Sequence, residues 1–255
     1  MIKHSSRAHA LLSPSGSSRW LKCTPSAKLE DSCIEENKSS FASEEGTVAH
    51  ELSELALSRY AAGDYKPDTD PLPIDETISN IGKYYNWEME LAVQKYVSFV
   101  VGRQKEHNCE TVYVERGFSL DKYVPESFGS CDACMHNSRE AIIIDLKYGR
   151  SKVSAKNNSQ LRMYALGFLE SLTEEERESI ETVTMYIAQV RLDSFACEVL
   201  TKKELLEWAD TELKPKALQA HKGEGEKVAG SHCYFCKFKN KCEVNLHKRI
   251  SDLFG

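Results

Sequence analysis

Apolar positions along this chain recur with one period before residue 109 and with another after it. Over 43–63 and 74–107 they recur three or four residues apart, which predicts two helices joined by a proline-containing loop. Ser43 is the expected N-cap of the first helix, and Gly63 is expected to end it. The N-terminal part of the chain is therefore predicted to be helical.

After residue 109, short apolar runs are bounded by turn residues, which predicts strands. These strands cover 111–118, 130–135, 141–148, 183–190 and 195–200. A helix is predicted over 154–172, and Thr201 with Glu204 forms a capping box that opens another. We expect one α/β domain with a mixed sheet of about five strands. Its parts are a helical segment over 1–108, the sheet-containing core over 109–222 and a cysteine-rich tail over 223–255.

Composition changes this picture mainly through cysteine. The chain has 255 residues, of which 41% are hydrophobic and 28% charged, as in a globular protein. No apolar run approaches the roughly 20 residues that span a bilayer, and the N-terminus lacks the apolar core of a signal peptide. We therefore expect a cytoplasmic protein with no membrane partner. In that reducing compartment, nine cysteines indicate metal binding or burial rather than disulfides.

Charge gives a divided indication about nucleic acid. The net charge of −6 argues mildly against a nucleic-acid binder. Residues 146–169 nevertheless carry five basic side chains and no acidic one: Lys147, Arg150, Lys152, Lys156 and Arg162. Such a basic stripe can hold a phosphate backbone, and a solvated helix face is the alternative interpretation.

Two acidic residues and a lysine mark the candidate chemistry. Asp145 and Lys147 end an apolar strand and, two residues apart, point to the same face. If the preceding strand pairs with this one as a hairpin, Asp132 lies beside Asp145, and two close carboxylates favour a cation between them. Mg²⁺ suits such a site because it is held by one or two carboxylates and keeps waters and substrate phosphates. Lys147 would orient the attacking water and offset charge in the transition state.

A second set of ligands lies near the end of the chain. Cys233, Cys236 and Cys242 follow the spacing C-x2-C-x5-C and supply three thiolates from one short loop. A fourth thiolate would complete either a tetrahedral zinc site or a [4Fe–4S] cluster. Cys131 and Cys134 are a rival pair. Residues three apart in a strand point to opposite faces, so we predict that these two are buried thiols.

The motifs, in this order, resemble those of the RecB-like branch of the PD-(D/E)XK nucleases. The matching segments are Gly46-Thr-Val-Ala-His50, Gly129-Ser-Cys-Asp132, Ile144-Asp145-Leu-Lys147-Tyr-Gly149, Gln160-Leu-Arg-Met-Tyr164 and the split cysteine set. The iron–sulfur members, such as the CRISPR-associated exonucleases and the AddB nuclease domain, are the most similar. The chain is similar also to a family of phage and prophage proteins with an N-terminal Arg-Trp-Leu-x-Cys segment, here Ser17-Ser-Arg-Trp-Leu-Lys-Cys23.

The resemblance implies a restriction-endonuclease-like core and a role for each matching residue. It implies that His50, Asp132 and Asp145 are metal ligands and that Lys147 is the catalytic lysine. It also implies that Gln160 and Tyr164, on one helix face, lie beside the active site and the DNA. The third motif has aspartate in place of glutamate, one methylene shorter, so the metal is expected to be placed slightly differently. Glu115, in the first predicted strand, could approach the metal from there, although a solvated carboxylate is the expectation.

The resemblance also implies cofactors, substrate and partners. Cys23 would join the three C-terminal cysteines around a [4Fe–4S] cluster, with Zn²⁺ as the alternative, and Mg²⁺ or Mn²⁺ would serve catalysis. The expected function is a metal-dependent DNA exonuclease, acting on single strands or duplex ends in phage recombination or DNA processing, alongside a strand-annealing protein. Phe118, Tyr148 and Tyr164 could stack bases near the basic stripe, and packing in the core is an equal alternative for each. Two alternatives stay open: a non-catalytic DNA-binding or assembly module, and a zinc-binding interaction protein.

Overall fold

A mixed five-stranded sheet forms the centre of the protein. The computed structural model describes residues 10–33 and 40–254. The strands lie in chain order across the sheet: β1 Val112–Ser119, β2 Phe128–His136, β3 Glu140–Leu146, β4 Thr182–Gln189 and β5 Ser194–Thr201. Neighbouring strands are antiparallel except β3 and β4, which are parallel. The predicted α/β fold is confirmed, and its mixed sheet flanked by helices is consistent with a restriction-endonuclease-like core.

Helices lie on both faces of this sheet. They are α1 Ser17–Trp20, α2 Ser26–Asp31, α3 Phe41–Ala62, α4 Ile81–Tyr84, α5 Trp87–Glu106, α6 Ser159–Ser171, α7 Glu174–Ser179, α8 Lys202–Trp208, α9 Lys214–Lys222 and α10 Glu243–Phe254. Within the described ranges, no helix combines the length and apolar character needed to cross a membrane.

The N-terminal helix α3 begins and ends at specific side-chain and backbone signals. Ser40, rather than Ser43, is its N-cap, because the Ser40 side chain accepts a hydrogen bond from the Ser43 backbone N–H. Gly63 ends the helix, as predicted, in the left-handed conformation with φ 82°. Helix α3 therefore starts three residues earlier than the sequence suggested.

The single long helix predicted over 74–107 is wrong in its first half. Asn80 has a left-handed φ of 63°, and Tyr85 is extended, so the chain makes only the short α4 before turning. Asn86 then caps α5, because its side chain accepts from the Met89 N–H. The apolar periodicity continued through both turns and concealed them.

Helix α6 forms the crossover between the parallel strands β3 and β4. It begins at Ser159 rather than at residue 154, since Asn157 has a φ of 55° and Asn158 supplies the cap. This crossover brings α6 across the face of β3, next to the last residues of that strand.

Two apolar cores lie on opposite faces of the sheet. In β3, Ile143 packs with α6, α8 and α9 on one face, whereas Ile142 and Ile144 pack with α3 and α5 on the other. The strand is buried on both faces, and the side chains at its carboxyl end emerge where the two helical layers separate.

Candidate active site

The end of β3 places an acid and a lysine side by side. Asp145 is only 2% exposed, and Lys147 Nζ lies 2.8 Å from its Oδ2. The Lys147 backbone N–H donates to Ala188 O of the neighbouring strand β4, which fixes the chain direction here. The two side chains share a face, as the strand alternation predicts. The Lys147 ammonium thus forms a close ion pair with the buried carboxylate.

Helix α6 adds an amide and a phenol to this pair. Gln160 Oε1 accepts from Lys147 Nζ at 3.1 Å, and Gln160 Nε2 lies within hydrogen-bond distance of Asp145 Oδ1, at 3.3 Å. The same Nε2 donates to Tyr164 OH at 2.8 Å. The four side chains therefore form one connected network in which α6 holds the acid and the lysine in position.

Asp132 connects the sheet to helix α3. The β2–β3 ladder has its last pair at Ala133 and Ile144, and beyond it Asp132 Oδ2 accepts from the Leu146 N–H at 2.6 Å. Asp132 Oδ1 lies 3.2 Å from His50 Nδ1. The predicted hairpin is present, and it brings Asp132, Asp145 and the α3 histidine to the same end of the sheet.

Glu115 also lies in this group, although its position in the sequence did not strongly indicate a metal ligand. A ligand atom from each of His50, Glu115 and Asp132 lies within 4.8 Å of the other two, and this is the one such group of three or more in the described part of the chain. Asp145, the other predicted ligand, is not in the group and is bound by Lys147 and Gln160 instead. The only sequence signal for Glu115 was its position in a strand next to Asp132.

These groups open into a pocket of about 490 Å³ lined by His50, Glu51, Glu54, Glu115 and Lys147 among others. A larger pocket of about 880 Å³ lies at the opposite end of β2 and β3. There His107 Nδ1 lies 2.8 Å from Glu140 Oε2. The smaller pocket is the one beside the predicted site, because His50, Glu115 and Lys147 all line it.

The electrostatics of His50, Asp132 and Glu115 are coupled. Burial disfavours the imidazolium of His50, but Asp132 and Asp145 outweigh it and raise its pKa. Burial also opposes ionisation of Asp132, yet His50 and the Leu146 N–H hold the pKa of this carboxyl below its usual value. Burial and the Asp132 charge raise the pKa of Glu115 to about 7. The metal-free site is therefore an ion pair beside a carboxyl that ionises reluctantly.

The Asp145–Lys147 pair is also perturbed. Burial raises the pKa of Asp145, although the Lys147 ammonium opposes this effect. Burial likewise opposes the charge of Lys147, but the carboxylates of Asp145 and Asp132 outweigh it and raise the lysine pKa. The ammonium is thus retained in a partly buried position, where it depends on its acidic partner.

The prediction that Cys131 and Cys134 point to opposite faces of β2 is wrong. Both are fully buried in the same core, on the α6 side of the sheet. The ladder is interrupted between them, and Cys131 Sγ turns to Ala133 O at 3.2 Å. Their predicted burial is confirmed.

Several side chains of the predicted basic stripe are held in ion pairs. Arg162 makes a two-pronged contact with Glu198 at 3.0 and 3.1 Å, and Arg150 pairs with Glu88 at 2.7 Å. Lys152 and Lys156 are exposed, and neither has an ion-pair partner within the described ranges. Only these two side chains of the stripe are free to meet a phosphate.

The aromatic rings expected to stack on bases are buried instead. Phe118 and Tyr164 are 6% and 9% exposed, and their rings pack edge to face at 5.9 Å. Tyr148 is covered by the Arg191 guanidinium at 4.7 Å. The structure therefore contradicts a stacking role for these three rings.

The four predicted cluster cysteines lie near one another in space, although one is near the start of the sequence and three are near its end. Burial raises the pKa of Cys23, and the nearby Cys233 and Cys242 thiols raise it further. Burial raises the pKa of Cys236 to about 11, and the Cys233 thiol also contributes. All nine cysteines of the chain are free thiols.

Two hydrogen bonds tie the N-terminal helices to the C-terminal tail beside these thiols. Thr24 Oγ1 donates to Glu224 O at 2.6 Å, and the Lys237 N–H donates to Glu30 Oε1 at 2.8 Å. Glu30 also binds Arg19 at 2.6 Å. The two chain ends are thus joined by polar contacts as well as by proximity of the thiols.

Comparison with known proteins places the whole of this arrangement in one family. The family described as "Protein of unknown function (DUF2800)" matches residues 9–252. This chain belongs to the DUF2800 family. The DUF2800 match includes every candidate residue above, from Cys23 to Cys242.

Two solved structures are similar to this DUF2800 chain at low identity. A protein from Eubacterium rectale named "Putative exonuclease" is 13% identical over 95% of this chain and 92% of that chain, with a TM-score of 0.47. The crystal structure of SSO0001 is 15% identical over 87% of this chain and 95% of that one, with a TM-score of 0.34. At these TM-scores neither likeness bears on the chemistry of the site.

Proposed function

We propose that this protein is a metal-dependent DNA nuclease, acting as an exonuclease on single strands or duplex ends. The observation that carries the proposal is the joining of two pairs at one end of the sheet. His50 lies 3.2 Å from Asp132, and Lys147 lies 2.8 Å from Asp145. An imidazole, two carboxylates and an ammonium are the groups needed to hold a cation and stabilise a phosphoryl transition state.

The donor set fits a divalent cation. His50, Asp132 and Asp145 supply one nitrogen and carboxylate oxygens, which suit Mg²⁺ or Mn²⁺. Burial and the charge of Asp132 raise the pKa of Asp145 despite the Lys147 ammonium, and a cation bound nearby would favour its ionised form. Such a cation, when bound, polarises a phosphoryl oxygen and lowers the pKa of a coordinated water.

Lys147 is suited to act on the scissile phosphate. Its side chain is 27% exposed and lines the pocket that His50 also lines. Gln160 and Asp145 hold the ammonium from behind, which limits the reorganisation needed when negative charge develops. We assign Gln160 and Tyr164 the positioning of this lysine rather than contact with the reacting atoms.

The DNA backbone would approach along the loop between β3 and α6. Gly149 lines the pocket, and the loop that follows carries the exposed Lys152 and Lys156. Two free cations next to the site can bind phosphates despite the acidic total charge. The resemblance to phage and prophage proteins supports a role in phage recombination or DNA processing, with a strand-annealing protein as partner.

We further propose that Cys23, Cys233, Cys236 and Cys242 hold a [4Fe–4S] cluster. Four thiolates suit either a tetrahedral zinc ion or a [4Fe–4S] cluster. The resemblance of the split cysteine set to that of the iron–sulfur nucleases supports the cluster.

The test is degradation of end-labelled DNA by anaerobically purified protein with Mn²⁺ or Mg²⁺. Wild type is expected to degrade the DNA, and Lys147→Met is expected to be inactive. Lys203→Met removes the same charge from an exposed position on α8 and serves as the matched control. Binding of DNA without degradation by wild type would overturn the nuclease proposal in favour of a non-catalytic binding module.

A further inference from the structure

Glu115 lies where the β1–β2 ladder is interrupted. The pairs Val114–Ala133 and Arg116–Cys131 flank it, and the position between them, where Glu115 faces Asp132, is unpaired. Glu115 has a φ of 45°, in the left-handed region that non-glycine residues rarely adopt. The backbone at Glu115 thus turns its carboxylate out of β1, level with the carboxylate of Asp132 in β2.

The resulting cluster has the composition of a cation site. Ligand atoms of His50, Glu115 and Asp132 all lie within 4.8 Å of one another, although the three residues come from α3, β1 and β2. Of the three residues, His50 alone can carry a positive charge, and its ring already faces Asp132. Two carboxylates held together in a half-buried pocket repel each other unless one is protonated or a cation lies between them, and above about pH 7 the cation is the remaining solution.

A third carboxylate adds negative charge at the same place. The Asp145 side chain is 3% exposed, and the Lys147 ammonium lies 2.8 Å from its Oδ2. The nearby charge of Asp132 also helps to raise the pKa of Asp145. Three carboxylates therefore meet two basic side chains, His50 and Lys147, at this end of the sheet, which favours a bound cation.

We propose that Glu115 is a metal ligand of this site, completing with His50 and Asp132 a binding site for a divalent cation such as Mn²⁺. The proposal deepens the nuclease function, on which it rests for the use of the metal. Both oxygens of Asp145 are held by Lys147 and Gln160, and Glu115 supplies the carboxylate that the sequence assigned to Asp145. Glu115 thereby determines how tightly the cation is held.

The experiment is Mn²⁺ binding at pH 8, measured from the loss of the free Mn²⁺ electron paramagnetic resonance signal. Glu115→Gln keeps the size of the side chain and removes its charge. We expect it to weaken Mn²⁺ binding by about tenfold or more, which corresponds to about 1.4 kcal/mol. Glu115→Asp should recover part of the affinity. Glu110→Gln, an exposed glutamate just before β1, makes the same charge change and should bind as wild type does.

The outcomes separate this proposal from the nuclease proposal. If Glu115→Gln binds Mn²⁺ as wild type does while Asp132→Asn does not, Glu115 is not a ligand, and the proposal is overturned with the nuclease site intact. If Glu115→Gln loses Mn²⁺ affinity but wild type degrades no DNA, the ligand assignment stands and the nuclease function fails. Failure of wild type itself to bind Mn²⁺ overturns the assignment. Circular dichroism in EDTA confirms that each variant is folded.

Discussion

Glu115 should destabilise the metal-free protein at alkaline pH. Its folded-state pKa of about 7 lies above the usual value of 4.5, so the folded protein binds more protons than the unfolded chain between these pH values. Stability is therefore retained below about pH 4.5 and lost as the pH rises through 7. A shift of this size corresponds to at most about 3 kcal/mol. Because the carboxyl is only partly buried, solvent screening reduces the expected cost to roughly 1–2 kcal/mol.

The neutral variant Glu115→Gln should consequently be more stable than wild type in EDTA at pH 8. For a domain of this size, roughly 1–2 kcal/mol corresponds to an increase in Tm of about 3–6 °C. At pH 5 the carboxyl is protonated in the folded protein but partly ionised in the unfolded chain, so the difference should be clearly smaller than at pH 8. Thermal unfolding followed by circular dichroism at both pH values measures it.

Two results would refute this reasoning. A Tm of Glu115→Gln at or below that of wild type at pH 8 would mean that the carboxylate makes favourable contacts in the absence of metal. An equal gain at pH 5 and pH 8 would mean that packing, rather than charge, is responsible.

Three further predictions concern the rest of the molecule. Lys147→Met leaves Asp145 buried without its partner and should cost about 2–4 kcal/mol at pH 8 but less at pH 5, where Asp145 can be protonated; pH-dependent urea unfolding measures this. Cys236→Ala should lower the Tm of the anaerobically purified protein and its iron content together, because closure of a loop of roughly 210 residues is lost, and an unchanged melting curve would exclude the cluster as a staple. Gly167→Ala would place a Cβ 2.1 Å from the Phe118 ring and should destabilise by about 1–3 kcal/mol, whereas a rise in Tm from the better helix propensity of alanine would show that the ring can move.

The hydrophobic pattern predicted the central strands well because strands buried on both faces are short continuous apolar runs. The strands β3 and β4, buried on both faces, were recognised from their apolar runs. The helix over 74–107 was overpredicted because a turn at Asn80 and a cap at Asn86 leave the apolar spacing unchanged. Local backbone conformation, rather than the pattern, decided where those helices end.

The candidate site was predictable only where neighbouring residues share one element. Asp145 and Lys147 lie two apart on a strand, so their contact followed from alternation. The contribution of Glu115 depends on strand register and on a positive φ, and neither can be derived from residue types alone. The position of Cys131 and Cys134 on the same face of the sheet was not predicted for the same reason, since the interruption of the ladder lies between them.

The most direct test of the account is a single titration of Mn²⁺ that follows binding and DNA cleavage in the same sample. Asp132→Asn is the informative variant, because its amide oxygen can still accept the Leu146 N–H while its charge is lost. We expect wild-type cleavage to rise in parallel with Mn²⁺ occupancy, and Asp132→Asn to lose both together. Cleavage by wild type that persists in EDTA, or full Mn²⁺ occupancy without any cleavage of single-stranded or duplex DNA, would contradict the central claim.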